Sequence, residues 1–98
     1  MKLYLDDERI PPEGCLLVKT VPELIKLISS EETIEQISLD HDLGEDQLTG
    51  YDFLCWLEEQ VYLNKLTYLP IINIHSANPT GRINMALALS SIQKIYGK

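Results

Sequence analysis

The chain has 98 residues, which is room for one domain and no second, and its 45 % hydrophobic fraction suffices for a small core. A net charge of −7 with scattered Lys and Arg forms no basic nucleic-acid-binding patch, which argues against binding driven by a DNA or RNA backbone but leaves a nucleotide substrate open. No apolar run reaches the roughly 18 residues a membrane helix needs, and the start lacks a signal-peptide pattern, so a cytoplasmic protein with no membrane partner is expected.

Residues 2–5 read as a buried strand. Residues 8–14 form a loop, because two prolines and a glycine break either regular structure. Residues 15–19 read as a second strand. Thr20-Val21-Pro22-Glu23 then resembles a capping box with Pro in the first turn, opening a helix with Leu24, Leu27 and Ile28 on one face. Glu31 and Glu32 fall in a solvated loop. Residues 36–40 give a third strand, followed by a polar loop from Gly44 to Thr49. A helix starts at Thr49 or Gly50 and aligns Phe53, Leu54, Leu57 and Val61; Tyr51 and Trp56 read as core or rim residues. Pro70 precedes a fourth strand, Ile71 to Ile74. Asn78 as N-cap and Pro79 at the first position start a last helix, which aligns Met85, Leu89, Ile92 and Tyr96.

Strands alternating with helices predict an α/β domain over residues 1–98, with a small, mostly parallel four-stranded sheet flanked by helices. One link strains this reading. The connection from the first strand to the second is only nine residues, 6–14, whereas a parallel crossover usually takes about a dozen. Cys15 and Cys55 are too few for a zinc motif; one disulfide is an alternative to two buried thiols, which we expect.

Three phrases put polar groups just past a strand: Leu3-Tyr4-Leu5-Asp6-Asp7-Glu8, Ser38-Leu39-Asp40-His41-Asp42-Leu43-Gly44, and Ile71-Ile72-Asn73-Ile74-His75-Ser76. In a parallel sheet the C-terminal strand ends share one edge, where open α/β sheets bind ligands. Asp6, Asp7, Asp40 and Asp42 in one cleft are costly unless a cation neutralises them or their pKa values rise. Oxygen ligands favour Mg²⁺ or Mn²⁺, and the imidazoles of His41 and His75 widen the choice toward Fe²⁺ or Zn²⁺. Such a site suits phosphoryl chemistry, with His41 and His75 moving protons and Ser76, Asn78 and Arg82 orienting phosphate oxygens. Each residue also has a plainer reading. Asp-Asp can cap a turn, either histidine can serve structure, Ser76 and Asn78 form turns and caps, and Arg82 can pair on the surface. Asp40 and Asp42 share parity on an extended chain, so either could hold a metal.

These phrases resemble those of a receiver domain, the phosphoacceptor module of two-component signalling. Asp6-Asp7-Glu8 matches its acidic pair, and Asp42-Leu43-Gly44 through Gly50-Tyr51-Asp52-Phe53-Leu54 has the spacing of its phosphoacceptor loop, with Asp42 at the phosphoacceptor-like position and Asp40 a close rival. Pro70 to Ala77 resembles the fourth strand with its terminal hydroxyl residue. The helix between the first two strands and the fifth strand with its lysine are missing. His41 and the His75-Ser76-Ala77-Asn78 corner are foreign to ordinary receivers and are similar to a variant family, the cyclic-phosphate-processing receiver-like domains. That resemblance implies a truncated, flavodoxin-like receiver fold and a bacterial or phage protein. It implies a role in handling cyclic phosphate ends of RNA or nucleotides, with a small phosphorylated ligand or an RNA end as partner.

The expectation is thus a metal-dependent phosphoesterase: Asp6, Asp7 and Asp40 or Asp42 hold Mg²⁺ or Mn²⁺, and His41, His75 and Asp42 are catalytic. Two non-enzymatic alternatives are a degenerate receiver that binds a partner and an interaction or inhibitor protein. The open sheet edge beside the fourth strand predicts a covering contact, for which a homodimer is one solution.

Overall fold

The structure is a computed structural model that describes residues 1–97. Its elements run β1 (Lys2–Leu5), β2 (Cys15–Val18), α1 (Val21–Ile28), β3 (Gln36–Leu39), α2 (Gly50–Tyr62), β4 (Ile71–Ile74) and α3 (Pro79–Tyr96). The four strands form one sheet in the order β2-β1-β3-β4, and every pairing is parallel. The expected α/β architecture is therefore present, in a fully parallel form, with the second and third strands each one residue shorter than read.

The short β1–β2 connection is parallel after all. Each strand has only four residues and so rises about 13 Å, while nine extended residues reach up to about 30 Å. A bare loop can return over so short a strand; a helix could not.

Register explains the layering. Leu3, Ile37 and Ile72 lie in one row across the sheet, and Leu5, Leu39 and Ile74 in the next but one. These side chains share a face, and with Val18 they form one apolar cluster with Val21 and Leu24 of α1, Phe53, Leu54, Leu57 and Val61 of α2, and Met85 and Ile92 of α3. All three helices thus cover the same face. The step from β1 to β2 runs opposite in strand order to the later steps, so by the right-handed rule its connection crosses the other face. That connection carries no helix, so a loop crosses this face, where Lys2, Ile71 and Asn73 are exposed, Gln36 and Ser38 half-buried and Tyr4 buried against the His75 ring.

Caps delimit all three helices, although the box read at Thr20–Glu23 forms only by half and the reciprocal box lies at Thr49 instead. The Thr20 side chain accepts the Glu23 N–H, Thr49 and Asp52 form a reciprocal capping box, and Asn78 accepts the Gly81 N–H. Two expectations fail. Both thiols are free, but Cys55 is exposed and Cys15 only half-buried: Cys55 lies off the Phe53–Leu54–Leu57 stripe, and Cys15 begins an edge strand. Tyr96 is 46 % exposed, because the inward face of α3 closes its last turn with Ile95.

Candidate functional site

The ladder of the sheet continues one residue beyond three strands. The Asp6 N–H donates to Val18 O at 3.0 Å, Asp40 N–H to Leu5 O at 3.0 Å and His75 N–H to Leu39 O at 2.9 Å. Asp6, Asp40 and His75 therefore stand in one row on β1, β3 and β4, on the face that also carries Tyr4, Ser38 and Asn73 one pleat below. Neighbouring strands are about 4.8 Å apart, and that spacing sets the geometry. One ligand-competent atom from each of the three residues lies within 4.8 Å of the others.

Asp6 is buried, with 1 % of its surface exposed. Its Oδ1 accepts the N–H groups of Glu8 at 2.8 Å and Arg9 at 2.9 Å, and its Oδ2 accepts from His75 Nε2 at 3.0 Å. Burial works to raise its pKa, but the Arg9 and Glu8 N–H groups and the His75 ring together carry it below the ordinary value of 3.8. Asp40 moves the other way. Burial raises it and the neighbouring Asp6 charge adds to this; the His41 N–H, at 2.8 Å from Oδ1, offsets them only in part. One carboxylate is held ionised and its neighbour resists ionisation, as expected for like charges sharing a site.

The His75 ring is fixed on three sides. It stacks on Tyr4 with centroids 4.1 Å apart and planes 6° from parallel, and its Nδ1 lies 2.6 Å from Ser38 Oγ while Nε2 meets Asp6. Arg9 leans across the same corner: Nη1 donates to His75 O at 3.1 Å, and Nε is 4.0 Å from Asp6 Oδ2.

His41 and Asp42 belong to a second group. His41 Nδ1 donates to Asp42 Oδ1 at 2.9 Å, Asn78 Nδ2 donates to Asp42 Oδ2 at 3.2 Å, and Asn78 Oδ1 accepts the Gly81 N–H at 3.0 Å. The first two bonds, led by His41, hold the Asp42 carboxyl below the ordinary range. His41 lies against α3 so closely that a Cβ on Gly81 would sit 2.5 Å from its Cγ. A Gly81→Ala variant must push the imidazole aside. We expect it to cost about 1–2 kcal/mol, read as a lower urea midpoint, and to move the His41 ring resonances.

A cleft of about 440 Å³ opens above this edge, lined by Asp6, Asp7, Glu8, Arg9, Asp40, Asp42, Gly44, Ala77 and Asn78. Five of those nine residues are acidic, and Arg9 is the one cation among them. The chain matches the family of cyclic-phosphate processing receiver domains over residues 1–91. It belongs to that family. Searches of curated proteins and of solved structures return no match.

In this cyclic-phosphate processing receiver domain the residues singled out from sequence separate into groups. Asp40, not Asp42, stands beside Asp6 and His75. Asp7 lines the cleft but is outside that trio. Ser76 is buried and accepts the Asn78 N–H at 3.1 Å, as a turn former does. Arg82 is exposed, with Nη1 3.5 Å from Ser76 O; Arg82, Ser76 and both histidines are not among the cleft-lining residues, and His41 is joined to the cleft through its bond to Asp42. Two neighbours were not singled out. Arg9 falls in the proline-broken loop; its signal is a basic residue three positions after a strand-end Asp, where an Asx turn returns the chain. Ser38 heads the second polar phrase without a role of its own in sequence, yet it lies two residues before Asp40 on the same strand face.

Proposed function

We propose that this domain is a divalent-cation-dependent phosphoesterase that opens cyclic phosphates at RNA ends or on nucleotides. The convergence of Asp6, Asp40 and His75 within 4.8 Å carries this reading. The donor set fits a cation. Two carboxylates and an imidazole suit Mn²⁺ or Mg²⁺, and five acidic residues facing one arginine leave the cleft in want of positive charge. Bound there, such an ion would polarise a phosphate oxygen and offset charge gained in the transition state.

The chain's own groups divide the remaining work. Arg9 and Asn78 line the cleft, and their remaining N–H groups would orient phosphate oxygens. Asp42 fixes the His41 tautomer by accepting from Nδ1, which leaves Nε2 as the proton-transfer atom. Water adds to phosphorus and one ester P–O bond breaks. His41 takes the proton from water and returns it to the leaving sugar oxygen, so the product is a phosphomonoester.

The test is incubation with 2′,3′-cyclic nucleotides and cyclic-ended RNA in Mn²⁺ or Mg²⁺, with products separated by chromatography. Conversion to a 2′- or 3′-monophosphate is expected, and Arg9→Ala should slow it by about 10²-fold. No turnover with any divalent cation, in a protein whose circular dichroism shows an intact fold, would sink the proposal.

A further inference from the structure

We propose that Ser38 is a positioning residue that lets His75 switch tautomer when a cation binds. The inference rests on the reading of Asp6, Asp40 and His75 as a cation site.

The geometry poses a specific problem. His75 Nε2 faces Asp6 Oδ2 at 3.0 Å, and an ionised carboxylate only accepts hydrogen bonds. Without a cation, Nε2 must therefore carry a proton. To serve as a ligand the same nitrogen must present its lone pair instead, and the proton of the neutral ring then belongs on Nδ1. In a neutral ring, Nδ1 is thus an acceptor in the first state and a donor in the second.

Ser38 Oγ is the partner of Nδ1, at 2.6 Å. A hydroxyl both donates and accepts, and it changes role by rotating about one bond. A carboxylate or carbonyl in its place would only accept, binding the proton to Nδ1 permanently; an amide N–H would only donate and would hold the ring in the cation-free form. Ser38 satisfies Nδ1 in both. The exchange is proton-neutral: Nε2 gives one proton to water and Nδ1 takes one from water.

Movement of the ring is not needed. Stacking on Tyr4 fixes the ring plane, and the strand register sets Tyr4, Ser38 and Asn73 side by side beneath the Asp6–Asp40–His75 row. Only hydrogens relocate, so the site can load without disturbing the sheet. Ser38 is half-buried, so a Nδ1–H without it would be poorly solvated.

The experiment compares wild type, Ser38→Ala and Ser38→Thr. Mn²⁺ affinity is read from the free-ion electron paramagnetic resonance signal, and the His75 tautomer from ¹⁵N spectra with and without diamagnetic Zn²⁺. Wild type is expected to carry Nε2–H without metal and Nδ1–H with Zn²⁺. Ser38→Ala should bind Mn²⁺ about 10–100-fold more weakly, the usual loss for a group that supports a ligand. Ser38→Thr should recover most of this, since it restores the hydroxyl on a strand that tolerates β-branching. A Ser38→Ala protein that binds Mn²⁺ within about twofold of wild type would overturn the proposal, as would a metal-free wild type with its proton on Nδ1. If wild type itself binds no cation, the cation-site reading fails separately, and the metal-free Nδ1 resonance decides for Ser38. A resonance that Ser38→Ala leaves in place overturns the proposal; one that it shifts upholds the hydrogen bond.

Discussion

A Gly50→Ala variant should melt about 15 °C below the wild type. Gly50 opens α2, its N–H donates to His41 O at 3.0 Å, and an added Cβ would collide with the Asp40 carbonyl oxygen and lie 2.8 Å from Met85 Cε. Met85 can turn its methyl away. The Asp40 carbonyl cannot yield, because it is backbone at the point where β3 becomes the site loop. Overpacking of this kind costs about 3 kcal/mol, and each kcal/mol moves the melting temperature of a domain this size by about 4–8 °C. Alanine's better helix propensity offsets about 1 kcal/mol at most. The cost should fall on the site as well, since relief of the collision displaces Asp40 from Asp6. Thermal unfolding followed by circular dichroism is the measurement. An unchanged melting temperature would mean that α2 does not approach the β3 end this closely.

That glycine also marks what the sequence discloses and what it conceals. Its place at the start of a helix was legible from Thr49 and the Phe53–Leu54–Leu57–Val61 stripe, because capping and periodicity are local. So were all four strands, each a short apolar run ending in a polar group. The convergence of three strand ends followed from parallel topology alone. What stayed hidden depends on register and on the third dimension. Asp40 and Asp42 are equivalent by parity only while the chain remains extended. The strand ends at Leu39, and beyond Asp40 the chain turns toward α3, where Asn78 takes hold of Asp42. Ser38 is bland in sequence, and only pairing with β4 brings it under His75. The bare sheet face was implicit in the missing first crossover helix, but reading it needs the strand order, since the hand of that connection decides which face it crosses. Cys55 misled because cysteine usually seeks the interior, while its place in the helical turn puts it outside.

The sharpest test of the acidic row is Asp40→Asn, for which stability and cation binding should move in opposite directions. Asp40 Oδ1 accepts the His41 N–H at 2.8 Å, and an asparagine oxygen can keep that bond. What the substitution removes is a charge that burial and Asp6 both disfavour. Asp40 binds its proton more tightly in the folded state than in the unfolded one. The stabilisation it provides when protonated is fully present below the ordinary value of 3.8 and is lost as pH rises through its higher folded value. At pH 7 the metal-free wild type therefore bears a penalty that Asp40→Asn does not. The variant should therefore melt at a higher temperature than the wild type at pH 7, by an amount that solvent screening keeps small. The gap should close as pH falls through the raised folded value of Asp40, where the wild type also gains this proton. Asp6 runs the opposite way: its lowered pKa stabilises the fold above 3.8, and that contribution is lost as pH falls through its folded value in both proteins. Adding Mn²⁺ should then reverse the order of the two proteins. At 100 times its dissociation constant a ligand bound only to the folded form adds about 2.7 kcal/mol, or roughly 10–20 °C here, and only the wild type should gain it. A cation-induced shift of equal size in Asp40→Asn would remove Asp40 from the ligand set. A metal-free melting temperature at or below that of the wild type at pH 7 would mean that Asp6 and Asp40 do not repel as their shared row requires.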